Sequence, residues 1–246
     1  MHTANAHTHK ERVADLTKEL SVLGEEWVTD IFNHKDVCSE IEVPQPRLRA
    51  WNELRNEVLS DVSQTRGELF FLANGSLFTA AGKTYAKDDL LPYVILAIPR
   101  IESNLGENRA GTPVIATLFK KYERVVDGPS GNKRRNYIKE KEIIPFLQMA
   151  KTNEWDVCLI LGTRAAAFGY PHFIPESLRL AVDGDDDGKI DLMWSLADAT
   201  RSIAHYLHKT GWSHSNTRAV FRYNPDPKYV QIVLEYAYAI KKRVPV

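Results

Sequence analysis

Helical spacing dominates the pattern of apolar positions. Between Glu11 and about Asn33, Val13, Leu16, Leu20, Leu23, Trp27 and Ile31 recur every three or four residues, which predicts an amphipathic helix broken near Gly24. Residues 36–48, with Pro44 and Pro46, read as a connection. Two further helical patterns run from Leu48 to Val62 and from Gly67 to Tyr85, and all three read as scaffold. Next, Leu91, Ile95, Ile98, Glu102 and Leu105 fall on one stripe, with Asp88 and Asp89 available as caps. Pro99 should kink or loosen that helix, and Gly106 should end it.

Residues 126–143 begin as a Gly/Pro loop and turn basic, with Arg134 and Arg135 expected on a solvated surface. Residues 143–151 return to a helical pattern. Asp198 as N-cap and Gly211 just past the end bound a helix carrying Ile203 and Tyr206. Asp226 and Pro227 open a last helix with Val230, Val233, Ala237 and Ile240 on its buried side. Helical patterns run along most of the chain, which predicts a mainly α fold.

Composition narrows this picture by exclusion. The 246 residues are 43% hydrophobic and 26% charged, an ordinary balance for a globular chain. Thirty-two basic side chains offset 32 acidic ones, so no bulk charge points to nucleic acid or a membrane surface. The longest apolar run, near Val94 to Ile98, is far too short to span a bilayer. The opening MHTANAHTHKER is polar and lacks the apolar core of a secretory signal. Cys38 and Cys158 allow one pairing at most and do not decide the compartment.

Candidate chemistry lies in two places. Glu102 is one carboxylate interrupting an apolar stripe, which suits either an ion-paired core residue or a desolvated acid. Between Gly162 and Trp194, a run of small residues leads to Gly169-Tyr170-Pro171-His172-Phe173-Ile174-Pro175, where a ligand could approach the backbone closely. Asp183, Asp185 and Asp187 then alternate ahead of Gly188. That is the front of a calcium loop, with oxygen ligands at positions 1, 3 and 5 and glycine at 6. The bidentate glutamate of such a loop is replaced by Trp194. His205 and His208, three apart on one helix, lack a third ligand and read as surface residues.

These segments, in this order, resemble lytic murein transglycosylases of the B type, from about residue 67 to 242. "IPRIESNLG" with "VIATL" behind it is similar to the catalytic segment of that family, and "AFGYPHFIP", "AVDGDDDGKIDL" and Tyr223-Asn224 with Tyr229 are similar to its later motifs. The resemblance implies a lysozyme-like catalytic domain at 67–246, preceded by an N-terminal helical extension at 1–66. It implies Glu102 as a single acid and base. Cleavage between N-acetylmuramic acid and N-acetylglucosamine would then close a 1,6-anhydro ring. It implies substrate contacts from Thr163, His172, Phe173, Tyr206, Tyr223, Asn224 and Tyr229. A weak structural Ca²⁺ would sit on Asp183, Asp185, Asp187 and the carbonyl of Lys189, with no organic cofactor.

The implied partners are peptidoglycan strands, with no nucleic acid, for a monomer in the periplasm or cell envelope. The chain departs from the family pattern at His172, where glutamine is usual, at Ile174 for methionine and at Thr163 for serine. One extra residue near Met193 moves the last loop ligand toward Ser195. Three rival readings follow from the residues: a non-catalytic peptidoglycan-binding protein, a hydrolase with a second carboxylate facing Glu102, and a calcium-sensing interaction protein.

Overall fold

The computed structural model describes residues 9–31, 50–108 and 111–245; the connection expected at 36–48 and Cys38 lie outside them. The described residues fall into two compact units. One is drawn from Met1–Gln45, Ala110–Phe168 and Phe173–Arg179, the other from Pro46–Arg109, Gly169–His172 and Leu180–Val246.

The second unit is built around α5 (Leu91–Glu102). The sequence predicts one apolar stripe here, but every residue from Leu91 to Ile101 is buried. A helix apolar on all sides needs neighbours on all sides. It finds them in α3 (Trp51–Val58), α4 (Asp61–Tyr85), α9 (Leu196–Lys209) and α11 (Pro227–Arg243). α10 (Asn216–Tyr223) packs on α9 and α11.

Small residues set the close contacts. A methyl group on Gly67 of α4 would lie 1.9 Å from the Tyr236 hydroxyl of α11, and one on Gly82 would lie 2.8 Å from Pro92. The rings of Phe71 and Tyr93 stack at 5.0 Å, tying α4 to α5. Ser60 caps α4 by accepting from Ser63 N, so this helix starts ahead of the predicted Gly67 and runs through position 66/67. Asp226 caps α11 by accepting from Lys228 N, as predicted.

The first unit holds α1 (His9–Leu20), a 3₁₀ turn at Ser21–Leu23 and a helical stretch α2 at 25–31. The predicted break falls at Gly24, whose φ of 112° ends the turn. α6 (Val114–Glu123) and α7 (Pro129–Ile138) follow, and a π-helical turn at Lys139–Ile143 leads into α8 (Ile144–Thr152). The expected Gly/Pro loop is therefore shorter than predicted, because Pro129 starts a helix at N1.

Arg135 is a correction to the sequence reading: it is 6% exposed, and its guanidinium meets Asp127 and the Val125 carbonyl. A two-stranded antiparallel sheet pairs β1 (Thr112–Pro113) with β2 (Leu161–Gly162). Phe146, Trp155 and Phe168 pack edge-on or tilted against one another at 5.8–6.3 Å in this unit's core.

Candidate active site

α5 delivers Glu102 as its last residue and then stops abruptly. Ser103 N and Leu105 N both donate to the Pro99 carbonyl, so the chain folds back over the helix end. Asn104 and Leu105 take left-handed φ values of 51° and 60°, followed by Gly106 at 84°. Non-glycine residues pay about 1–2 kcal/mol for that region, so the turn needs outside support. Arg100, 4% exposed, supplies some of it by donating to the Asn104 side chain at 2.8 Å and to Ser63 Oγ at 2.8 Å. Burial lowers the pKa of this guanidinium from its ordinary value.

Ser103 ties this turn to a second one. Its hydroxyl lies 3.1 Å from the Pro99 carbonyl and 3.0 Å from the Tyr170 carbonyl, and accepts from Gly106 N. Gly169–His172 is held from other sides as well. Tyr170 N donates to Leu192 O at 2.9 Å, and the Tyr223 hydroxyl donates to Pro171 O at 2.5 Å. Gly106 must be glycine in this frame, because a methyl group would lie 2.2 Å from the Tyr170 ring. The chain passes Tyr170 so closely only because no Cβ intervenes.

His172 sits at φ 47° in this turn and points Nδ1 at Glu102 Oε2, 3.3 Å away. Both side chains keep about a fifth of their surface, 18% and 19%. Two tyrosines face the same carboxylate. Tyr229 is 1% exposed, packs edge-on against Trp51 at 6.2 Å and turns its hydroxyl to Glu102. Burial, then the Glu102 charge, pushes its phenol well above the ordinary value. Tyr223 is shifted the same way by burial of its hydroxyl and by Glu102, although its ring is partly exposed. Tyr206 meets Tyr223 in a T-shaped contact at 4.9 Å and donates to the Arg222 carbonyl. Asn224 is half-buried at the end of α10.

The structure thus brings together Glu102, His172, Tyr206, Tyr223 and Tyr229. Asn224 belongs to the same unit, and Thr163 and Phe173 belong to the other. Thr163 Oγ accepts from Ala165 N and Ala167 N, closing its own loop. Phe173 is 2% exposed and pairs its backbone with Phe168. Sequence reasoning missed the support from Arg100, Ser103 and Trp51.

The acidic loop lies in the same unit as Glu102 and gathers a different set of oxygens from the one expected. Asp183, Asp185 and Asp198 each place a carboxylate oxygen within 4.8 Å of the others. Asp187 is not among them; it accepts from Lys189 N. Asp198, predicted as the N-cap of α9, is not the cap. Ser195 is, accepting from Asp198 N. Asp198 turns inward, 2% exposed, and accepts from Gly184 N and Asp191 N. Burial first, with the Asp185 and Asp183 charges adding to it, raises its carboxyl from the ordinary value, against the pull of the two backbone N–H donors.

His205 and His208 flank Tyr85, with ring centroids 5.3 and 5.7 Å from it. His205 also contacts the Leu180 carbonyl through Nδ1.

A family model described as the transglycosylase SLT domain matches residues 4–231. Membrane-bound lytic murein transglycosylase B of Escherichia coli is 27% identical over 197 residues, covering 78% of this chain and 51% of that protein. The chain therefore spans about half the length of this curated relative. Two solved structures share the fold. The E. coli lytic transglycosylase Slt35 in complex with calcium matches with a TM-score of 0.75 at 18% identity, over 94% of this chain and 92% of that one. SltB3 from Pseudomonas aeruginosa in complex with NAG-anhNAM-pentapeptide matches with a TM-score of 0.75 at 17% identity, over 96% of this chain and 80% of that one.

Proposed function

The chain belongs to the transglycosylase SLT domain family, and from that membership we propose that it cleaves peptidoglycan as a lytic transglycosylase with Glu102 as its single acid–base residue. The observation that carries this reading is the setting of Glu102. It ends a buried helix, with His172 at one oxygen and the buried Tyr229 hydroxyl facing the same carboxyl group.

In the proposed reaction Glu102 gives its proton to the glycosidic oxygen as the C1–O bond of N-acetylmuramic acid breaks, releasing the N-acetylglucosamine 4-hydroxyl. The resulting carboxylate takes the proton of the muramyl C6 hydroxyl while O6 bonds to C1. No water is consumed, and Glu102 ends protonated. Ordinary glycosidases spread these tasks over two carboxylates. SltB3 holds a NAG-anhNAM-pentapeptide, and a ligand with an anhydro sugar supports the cyclising outcome proposed here. Tyr206, Tyr223 and Asn224 would line the sugar subsites.

A calcium ion fits the acidic loop. Three carboxylates converge there, and Asp183 and Asp185 raise the cost of ionising Asp198. Asp183, Asp185 and Asp198 would hold the ion, which would supply charge neutralisation and fix the loop. A periplasmic or envelope location follows from the proposed substrate.

Digestion of purified murein sacculi tests the main reading. The wild type should release muropeptides ending in 1,6-anhydro-N-acetylmuramic acid. Glu102→Gln should lose about 10² to 10⁴ in turnover or more, because one residue supplies both proton transfers. Reducing-end products would mean hydrolysis, and full activity in Glu102→Gln would place the catalyst elsewhere.

A further inference from the structure

We infer that His172 is a positioning residue for Glu102: its Nδ1–H holds Oε2, so that the transferable proton sits on Oε1. The inference rests on Glu102 being the acid–base group. It starts from the 3.3 Å contact between Nδ1 and Oε2. That contact joins two turns tied to each other twice over. Ser103, next to Glu102, reaches the Tyr170 carbonyl two residues before His172. Tyr223 reaches the Pro171 carbonyl one residue before it. Neither partner can drift far without breaking one of these bonds.

The backbone adds a second argument. His172 is held at φ 47° by a turn in which its own N–H donates to the Gly169 carbonyl at 3.1 Å. A histidine in the left-handed region costs free energy relative to glycine or asparagine. Strain at a site is tolerated where the side chain is needed in one direction. Here that direction is the carboxyl group at the end of α5.

The chemistry then follows from the two oxygens. A carboxylic acid must offer its O–H to the glycosidic oxygen, so its other oxygen is best occupied by a donor. Nδ1–H is such a donor. When Oε1 has given up its proton, the same N–H stabilises the carboxylate until Oε1 accepts the C6 hydroxyl proton. His172 itself exchanges no proton. The buried Tyr229 hydroxyl faces the same carboxyl group.

The test compares His172→Asn with His172→Gly on murein sacculi. Asparagine tolerates φ near 47° and puts an amide N–H where Nδ1 stood; glycine tolerates the turn and removes the donor. The glycine variant should lose about tenfold to a hundredfold in kcat with KM little changed, the scale of a catalytic group displaced by about 1 Å. The asparagine variant should recover most of that loss. Wild-type turnover in His172→Gly, equal impairment of both variants, or a rise in KM with kcat intact would overturn the inference.

An independent reading uses ¹⁵N spectra of the imidazole in the uncut wild-type protein. His172 should carry its proton on Nδ1, and Glu102→Ala should shift it toward Nε2. An Nε2–H histidine in the wild type would also overturn the inference. A wild type that forms no anhydro product would count against the transglycosylase reading alone, because the spectra still decide the pair.

Discussion

At the scale of single residues, the site is a carboxyl group faced by two phenols that resist ionisation. Tyr229 and Tyr223 are both pushed well above the ordinary phenol value, first by burial and then by the Glu102 charge. The native state therefore keeps protons that the unfolded chain gives up near pH 10. Their contribution to stability is complete below about pH 10 and is lost as pH rises toward the folded values. Alkaline unfolding should be cooperative, with the tyrosinate absorbance of these two residues appearing only as the fold is lost. Tyr229→Phe removes one such proton, so stability should decline less steeply above pH 10, by about 1.4 kcal/mol per pH unit. The same alkaline slope in Tyr229→Phe and the wild type would show that this hydroxyl ionises inside the fold. Glu102, the tyrosines and His172 were all legible in the sequence as residue types in order. Their mutual distances were not, because 67 residues and a strained turn separate Ser103 from Tyr170.

At the scale of elements, the helices were read well where capping chemistry and apolar period agreed. α11 is the clear case, with Asp226 and Pro227 at its start and its predicted stripe buried. α4 shows the failure. Its apolar period is blurred by Gly67, Gly75 and Gly82, so the sequence pattern starts late, while Ser60 starts the helix in fact. Gly67 and Gly82 make sense only against Tyr236 and Pro92, which are tertiary neighbours.

The acidic loop shows the same limit. Alternation marked Asp183, Asp185 and Asp187, but folding swings in Asp198 from the first turn of α9. Millimolar Ca²⁺ should raise the melting temperature, by an amount equivalent to about 2.7 kcal/mol at a hundredfold excess over Kd. Asp185→Asn is the informative variant. Asp185 is exposed and receives a hydrogen bond from Ser195, so its loss should spare the metal-free fold while abolishing the response. A melting temperature indifferent to Ca²⁺ and chelator in the wild type would rule the ion out.

At the scale of the whole molecule, the chain threads between its two compact units rather than building one after the other. The family resemblance implies a catalytic domain at 67–246 behind an extension at 1–66, and that boundary falls inside α4. A chain begun at residue 67 would lose α3, whose Leu54 and Val58 belong to the core around α5. It would lose Trp51, which packs on Tyr229, and Ser63, which accepts from Arg100 beneath the Glu102 turn. Burying each large apolar side chain is worth about 1.5–3 kcal/mol. An unpaired buried donor costs about 1–3 kcal/mol more. Three such side chains and one stranded guanidinium together approach the whole stability of an ordinary domain, about 5–15 kcal/mol. The fragment should therefore show no cooperative thermal transition and no murein-cleaving activity. Trp51→Ala in the full chain, which removes a single contact, should melt lower but still cooperatively. A cooperative, active fragment 67–246 would show that α3 is dispensable, and that the core around α5 closes without it.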